Sequence, residues 1–200
     1  DVERSRGLGD VYKRQKYTSE NFNMKCTHPF NELEGADKIA KYLWSPIKKS
    51  FKPIQRRMDI FYAGTNLVDN HSSKWVVNMG HLLGSFNNPF FGIEPTKKTV
   101  MLWYCEFYKV ENNKITEGAF FLDILKFMQH LKLSVVPDST GMIGFNPGPK
   151  THDGLYFQKQ SDEEGNKTLD LMMRMANRLI GVGMRTTVSD LEKDWHEDMI

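Results

Sequence analysis

Between residues 57 and 123 apolar and polar side chains alternate with a period of two, which predicts four long strands: Arg57–Ala63, Lys74–Phe86, Lys98–Val110 and Lys114–Asp123. They are rich in Val, Phe, Tyr and Trp, residues that suit a pleated, half-buried surface. Asn112-Asn113 separates the last two, and Asn tolerates positive φ, so a two-residue hairpin turn is expected. Ahead of these strands the period is helical. Residues 24–28 read as a short strand, after which Ile39, Leu43 and Ile47 recur every four residues beside Ala40 and Trp44. Pro46 lies inside that pattern and is expected to kink or end the helix. Residues 124–131 fit one or two helical turns. The Gly- and Pro-rich stretch 132–165 reads as loop, with one more strand near Met142–Phe145. In the tail, Leu169, Met172, Met173, Ala176, Leu179 and Ile180 keep helical spacing up to Gly181, and Val188, Leu191 and Trp195 mark a second helix with a capping box at Ser189 and Glu192. The expected class is α+β: one helix, a curled antiparallel sheet and two C-terminal helices.

Candidate chemistry lies on the strands. Glu117 and Asp123 share a strand face with Ile115, Ala119 and Phe121. Carboxylates in apolar company must be paired, hydrogen-bonded or protonated, and a desolvated one can act as a general base or acid. His81 is in a similar position, on the face of Trp75, Val77, Met79 and Leu83. Each also has a structural reading. Asp123 suits the N-cap of a helix starting at Ile124, Glu117 suits a cross-strand pair with Lys109 or Lys98, and His81 suits a satisfied core histidine. Glu106, on the face of Tyr104 and Tyr108, is expected to be paired structurally.

Composition narrows the classes. The chain has 200 residues, 40% hydrophobic and 26% charged, with net charge +2, as in ordinary globular proteins. No apolar run approaches the roughly 20 residues of a membrane span. Cys26 and Cys105 are too few and too isolated for a disulfide framework or a metal knuckle, so a reduced, cytoplasmic protein without metal is expected. The basic run Lys48, Lys49, Lys52, Arg56, Arg57 lacks interleaved aromatics and reads as a solvated helix face, not a nucleic-acid surface.

One stretch carries a family resemblance. Gly80-His81, Gly84-Ser85-Phe86, Phe91-Gly92-Ile93-Glu94-Pro95-Thr96, Glu106–Val110, Lys114-Ile115-Thr116-Glu117, Asp123 and Gln129 together resemble the SnoaL-like polyketide cyclases of the nuclear transport factor 2-like superfamily. Lys97 stands where that family usually has Gly, and Ala119 where it has Trp, which widens or reshapes the pocket. The resemblance implies a cone-shaped, cystatin-like α+β barrel and an acid/base enzyme using neither cofactor nor metal. Asp123 would remove a proton beside a carbonyl, and the enolate would close a ring by intramolecular aldol attack. His81 would serve as donor and Glu117 as a further carboxylate, with Trp75, Trp103, Phe107 and Phe121 as walls around a small hydrophobic or polyketide-like molecule. A non-catalytic protein binding such a ligand in the same fold is the alternative.

The expected organisation is a leader of non-native origin at 1–20, one domain at 21–140, a linker at 141–165 and two helices at 166–200. Domains of this superfamily normally begin with two helices, and only one precedes the sheet here. The tail helices therefore read as the start of a second, truncated copy. Their apolar stripe is expected to be buried on the sheet or in a homodimer.

Overall fold

The computed structural model describes residues 16–133, 137, 140, 148, 149, 151–182 and 187–196. The strand expected near Met142–Phe145 and most of the leader lie outside the described residues. The chain divides into two compact units after Phe157.

The first unit is a six-stranded sheet with helices on one face. Its elements are β1 (Thr18–Cys26), β2 (Glu32–Glu34), α1 (Ala36–Ile39), a π-helical turn (Ala40–Trp44), α2 (Ser45–Ser50), β3 (Phe51–Thr65), β4 (Lys74–Phe86), β5 (Thr99–Glu111), β6 (Lys114–Leu122) and α3 (Ile124–His130). The spatial order is β2-β1-β6-β5-β4-β3. The sheet is mixed, not purely antiparallel, because β1 runs parallel to β6 along Asn23–Cys26 and Glu117–Phe120. Four strands fall where period-two alternation placed them. β3 is far longer at its start than expected, because Lys52, Pro53 and the basic residues after it break the alternation.

Helix formation continues through Pro46. Ser45 N–H reaches back to the Ala40 carbonyl, an i→i−5 bond, and Pro46 then opens α2, where its missing N–H is tolerated. The helical stripe of Ile39, Leu43 and Ile47 is buried as its spacing predicted. It packs on the sheet face formed by Phe22, Met24, Leu82, Leu102, Tyr104, Phe120 and Leu122. At one end of this core the rings of Phe51, Phe86, Phe90 and Phe127 meet at centroid distances of 5.0–6.1 Å, mostly edge to face.

Residues after α3 return to the sheet edge. Gly154 accepts from Phe61 N–H and Tyr156 N–H donates to the Phe61 carbonyl, so part of the stretch expected as linker runs along β3. An edge strand covered in this way has fewer open backbone groups.

The second unit holds α4 (Asp162–Val182) and α5 (Val188–Leu191). Three acidic residues open α4, as the helix dipole favours. The capping box before α5 uses Thr187 and Asp190, two residues earlier than Ser189 and Glu192. Arg174 and Arg178 both reach the buried Asp194 carboxylate, fixing the turn after α5 against α4. No helix among the described residues is long and apolar enough to cross a membrane.

Candidate functional site

The odd-numbered side chains of β4, β5 and β6 project from the face opposite α1 and α2. Strand register arranges them in rows. Ile60, Met79, Cys105 and Phe121 are cross-strand partners and form one row. The next row carries His81 and Trp103, which pair directly, and Asp123, whose N–H donates to the Trp103 carbonyl. Asp59 enters this row from β3 through a β-bulge. Met58 pairs with Gly80 and Ile60 with Met79, leaving Asp59 as the extra residue. Its carboxylate Oδ2 lies 2.9 Å from His81 Nδ1.

These two rows, His81 excepted, line an open groove of about 490 Å³. Ile60, Met79, Cys105 and Phe121 make its apolar floor, with Asp59, Trp103, Asp123 and Lys126 above it. Gly148 and Pro149 close one side. Gly148 lies so near Asp59 that a Cβ there would stand 2.4 Å from the Asp59 Cγ, so no other residue fits without displacement. The size falls within the usual range for small-molecule sites. Met79 and Phe121 remain 41% and 50% exposed, an unusual state for such apolar side chains at the floor of a concavity. Burial pushes the Cys105 thiol up, with the Glu106 charge adding to the effect, so the sulfur is protonated near neutrality and a poor nucleophile.

The residues singled out in the sequence separate in space. Asp123, Trp103 and Phe121 meet in the groove, and His81 adjoins it, 5.2 Å from the Trp103 ring centroid and bonded to the lining residue Asp59. Asp123 also caps α3, its Oδ1 accepting from Lys126 N–H at 2.9 Å. Glu117 stands on the same face but six residues earlier in β6, which at about 3.3 Å per residue is ~20 Å away. Its carboxylate pairs with Lys109 Nζ at 3.1 Å. Trp75 belongs to that distant row, donating from Nε1 to Ser73 Oγ. Phe107 lies between, its ring meeting Phe121 edge to face at 6.0 Å, and is not part of the groove lining. Sequence reasoning missed Asp59 and Lys126. The bulge removes Asp59 from any period-two count, and Lys126 lies on α3, beyond the strand pattern.

A second polar cluster occupies the helix-covered face. Arg56 reaches the Glu106 carboxylate by a short contact of Nη2 with Oε2, and its Nε donates to Tyr104 Oη at 3.0 Å. The Tyr104 hydroxyl also lies 3.3 Å from Asn78 Oδ1. Glu106 is fully buried, and burial raises its carboxyl above the ordinary range despite the Arg56 charge. Gly80 makes room for this cluster: a Cβ there would lie 2.0 Å from the Arg57 carbonyl oxygen and 3.1 Å from Tyr104 Oη. Glu106 is thus paired, as its strand face suggested. Among the described residues no group of three His, Cys, Asp or Glu side chains is placed to hold a metal ion.

No family model matches the chain, and no curated protein matches it. Solved structures do. IdmH, a candidate polyketide cyclase from Streptomyces antibioticus, superposes with a TM-score of 0.51 at 11% identity, over 62% of this chain and 88% of that one. A candidate polyketide cyclase from Acidithiobacillus ferrooxidans gives 0.50 at 15% identity, over 64% and 85%. A SnoaL-like polyketide cyclase candidate from Jannaschia sp. gives 0.47 at 17%, over 64% and 79%. Identities this low speak to architecture only. The chain has the α+β fold of these polyketide cyclase candidates.

Proposed function

We propose that the groove binds a small, mainly apolar carbonyl compound and carries out acid/base chemistry on it, with intramolecular aldol cyclisation as the reaction. The observation that supports this reading is the row Asp59–His81–Trp103–Asp123 at the edge of an apolar floor. When His81 Nδ1 carries the proton and donates to Asp59 Oδ2, Nε2 presents a lone pair; after taking up a proton the same ring is an acid held by a carboxylate. Asp123 is a second base on the other side of Trp103. In the reaction one of these groups takes a proton from the carbon beside a carbonyl, leaving an enolate. The enolate carbon then attacks a second carbonyl of the same molecule, forming a carbon–carbon bond. The oxygen of that carbonyl becomes an alkoxide and receives a proton from the conjugate acid. Lys126, on the groove lining, is a cation for the developing oxyanion.

The test is a panel of alkyl and aryl 1,5-diketones, whose intramolecular aldol closure gives a six-membered ring. Binding should quench tryptophan fluorescence in the parent and not in Trp103→Phe. Turnover should fall at least a hundredfold in Asp123→Asn or His81→Asn while binding stays within threefold. A panel that binds without turnover favours the second reading, a non-catalytic ligand-binding protein. That reading draws on the Asp123 carboxylate already serving as the cap of α3. A panel that neither binds nor turns over overturns both.

A further inference from the structure

The outer face of the sheet continues past the His81–Trp103 row to the partners Leu83 and Met101, and there a second cavity of about 440 Å³ opens. Its character differs from that of the groove. Leu83, Met101 and Leu131 supply apolar wall, while Lys98, Lys132 and His130 bring three basic side chains to one small space. The hydroxyls of Thr96 and Thr99 stand among them, and no carboxylate lines the cavity among the described residues.

Some basic side chains in this protein are held by a partner, though most lysines among the described residues form no ion pair. Lys109, Lys159, Lys167 and Lys193 each hold a carboxylate, and Lys97, next to the cavity, donates to the Asn87 carbonyl at 2.6 Å. Among the described residues neither Lys98 nor Lys132 has an ion-pair partner. Lys132 has a second feature, a positive φ that eight other non-glycine residues among those described share. It follows α3 with φ +59°, the left-handed position at a helix end that Gly normally fills. A lysine there carries a strain of about 1 kcal/mol that glycine avoids.

We propose that this cavity is a binding site for a small organic oxyanion, a carboxylate or a phosphate monoester, attached to a short apolar body. Lys98 and Lys132 bind the charged head, the threonine hydroxyls donate to its remaining oxygens, and Leu83, Met101 and Leu131 receive the apolar portion. The site is separate from the groove and does not depend on the activity assigned there.

Calorimetric titration at low salt with hexanoate, hexyl phosphate and hexanol tests this. One of the two anions should saturate a single site, whichever binds more tightly identifying the head group, and hexanol should bind at least tenfold more weakly. The double variant Lys98→Gln/Lys132→Gln should weaken anion binding at least fivefold. Lys132→Gly, which relieves the left-handed strain while removing the ammonium, should melt no lower than the parent and still lose affinity. It keeps the test readable should the double variant fold poorly. Absence of saturation by both anions, hexanol binding as tightly as they do, or a loss under fivefold in the folded variants overturns the proposal. So does anion binding that Trp103→Phe abolishes, which would locate the ligand in the groove.

Discussion

Asp59 Oδ2 and His81 Nδ1 lie 2.9 Å apart, although 22 residues separate them in the chain. The contact exists because the β3 bulge turns Asp59 onto the face where His81 already points. Both side chains are largely buried, 18% and 13% exposed. Replacing Asp59 by Ala leaves the imidazole without its acceptor and should lower stability by about 1 kcal/mol, the size of one net hydrogen bond. Asp59→Asn should lose less, since an amide oxygen can still accept. Urea denaturation measures both, and equal losses would show that the contact adds nothing beyond packing.

Gly80 should not tolerate even a methyl group. The Arg57 carbonyl oxygen stands where a Cβ would be, at 2.0 Å, and belongs to the neighbouring strand backbone, which cannot rotate away. Gly80→Ala should cost about 2 kcal/mol or more through displacement of β3 from β4. It should also disturb the Tyr104 ring, visible in the aromatic circular dichroism.

Glu106 gives a pH dependence with a definite sign. Burial raises its native carboxyl above the ordinary value of 4.5, so the folded chain holds that proton more tightly than the unfolded chain does. Its stabilising contribution is complete below about pH 4.5 and is lost as pH climbs through the raised native value. Hydrogen-bonded carboxylates such as Asp69 and Glu111 are depressed and act in the opposite direction. The difference between the parent and Glu106→Gln isolates the effect. The variant's melting temperature should gain on the parent's as pH rises from 4 to 8. A constant difference would mean that Glu106 has the same affinity for its proton folded and unfolded.

Glu117→Gln provides the opposite control to Asp123→Asn. Glu117 is half exposed and ~20 Å along β6 from Asp123, and its pair with Lys109 is of the solvent-screened kind. Binding of 1,5-diketones and any turnover should be unchanged. A substantial loss would place the site at the far end of β6.

The helix cap is separable from the proposed base. Asp123→Ala should destabilise by about 1 kcal/mol, as lost N-caps do, whereas Asp123→Asn retains an accepting oxygen for Lys126 N–H and should stay near the parent in stability. Chemical denaturation of the two variants side by side decides it.

The parts of this fold legible in the sequence are those governed by local periodicity. Alternation places β4, β5 and β6 within a residue or so, and the spacing of Ile39, Leu43 and Ile47 identifies the helix face that becomes core. Alternation also groups Glu117, Phe121 and Asp123 on one side of their strand. Six residues of extended chain already put Glu117 ~20 Å from Asp123, but alternation cannot say which sides of β4 and β5 meet that side. Residues brought together by register are illegible in this way. Arg56 and Glu106 meet across 50 positions of sequence, and only the pairing order of three strands connects them. The parallel pairing of β1 with β6 is likewise fixed by nothing local, since β1 precedes every element it must pass before reaching its partner.

The extra residue in β3 has an evolutionary meaning. Ahead of it, Arg56 faces the helix-covered interior; after it, Ile60 faces the groove. One strand therefore serves both surfaces, and the two assignments are tied to a single count of residues. Deleting any one residue between Arg57 and Ile60 would exchange inside for outside on one flank, bringing a guanidinium to the open face or an isoleucine out of it. Substitutions can change either surface alone. A change of length cannot, so insertions and deletions should be far rarer in this strand among descendants of the sequence than its exposed, polar composition suggests.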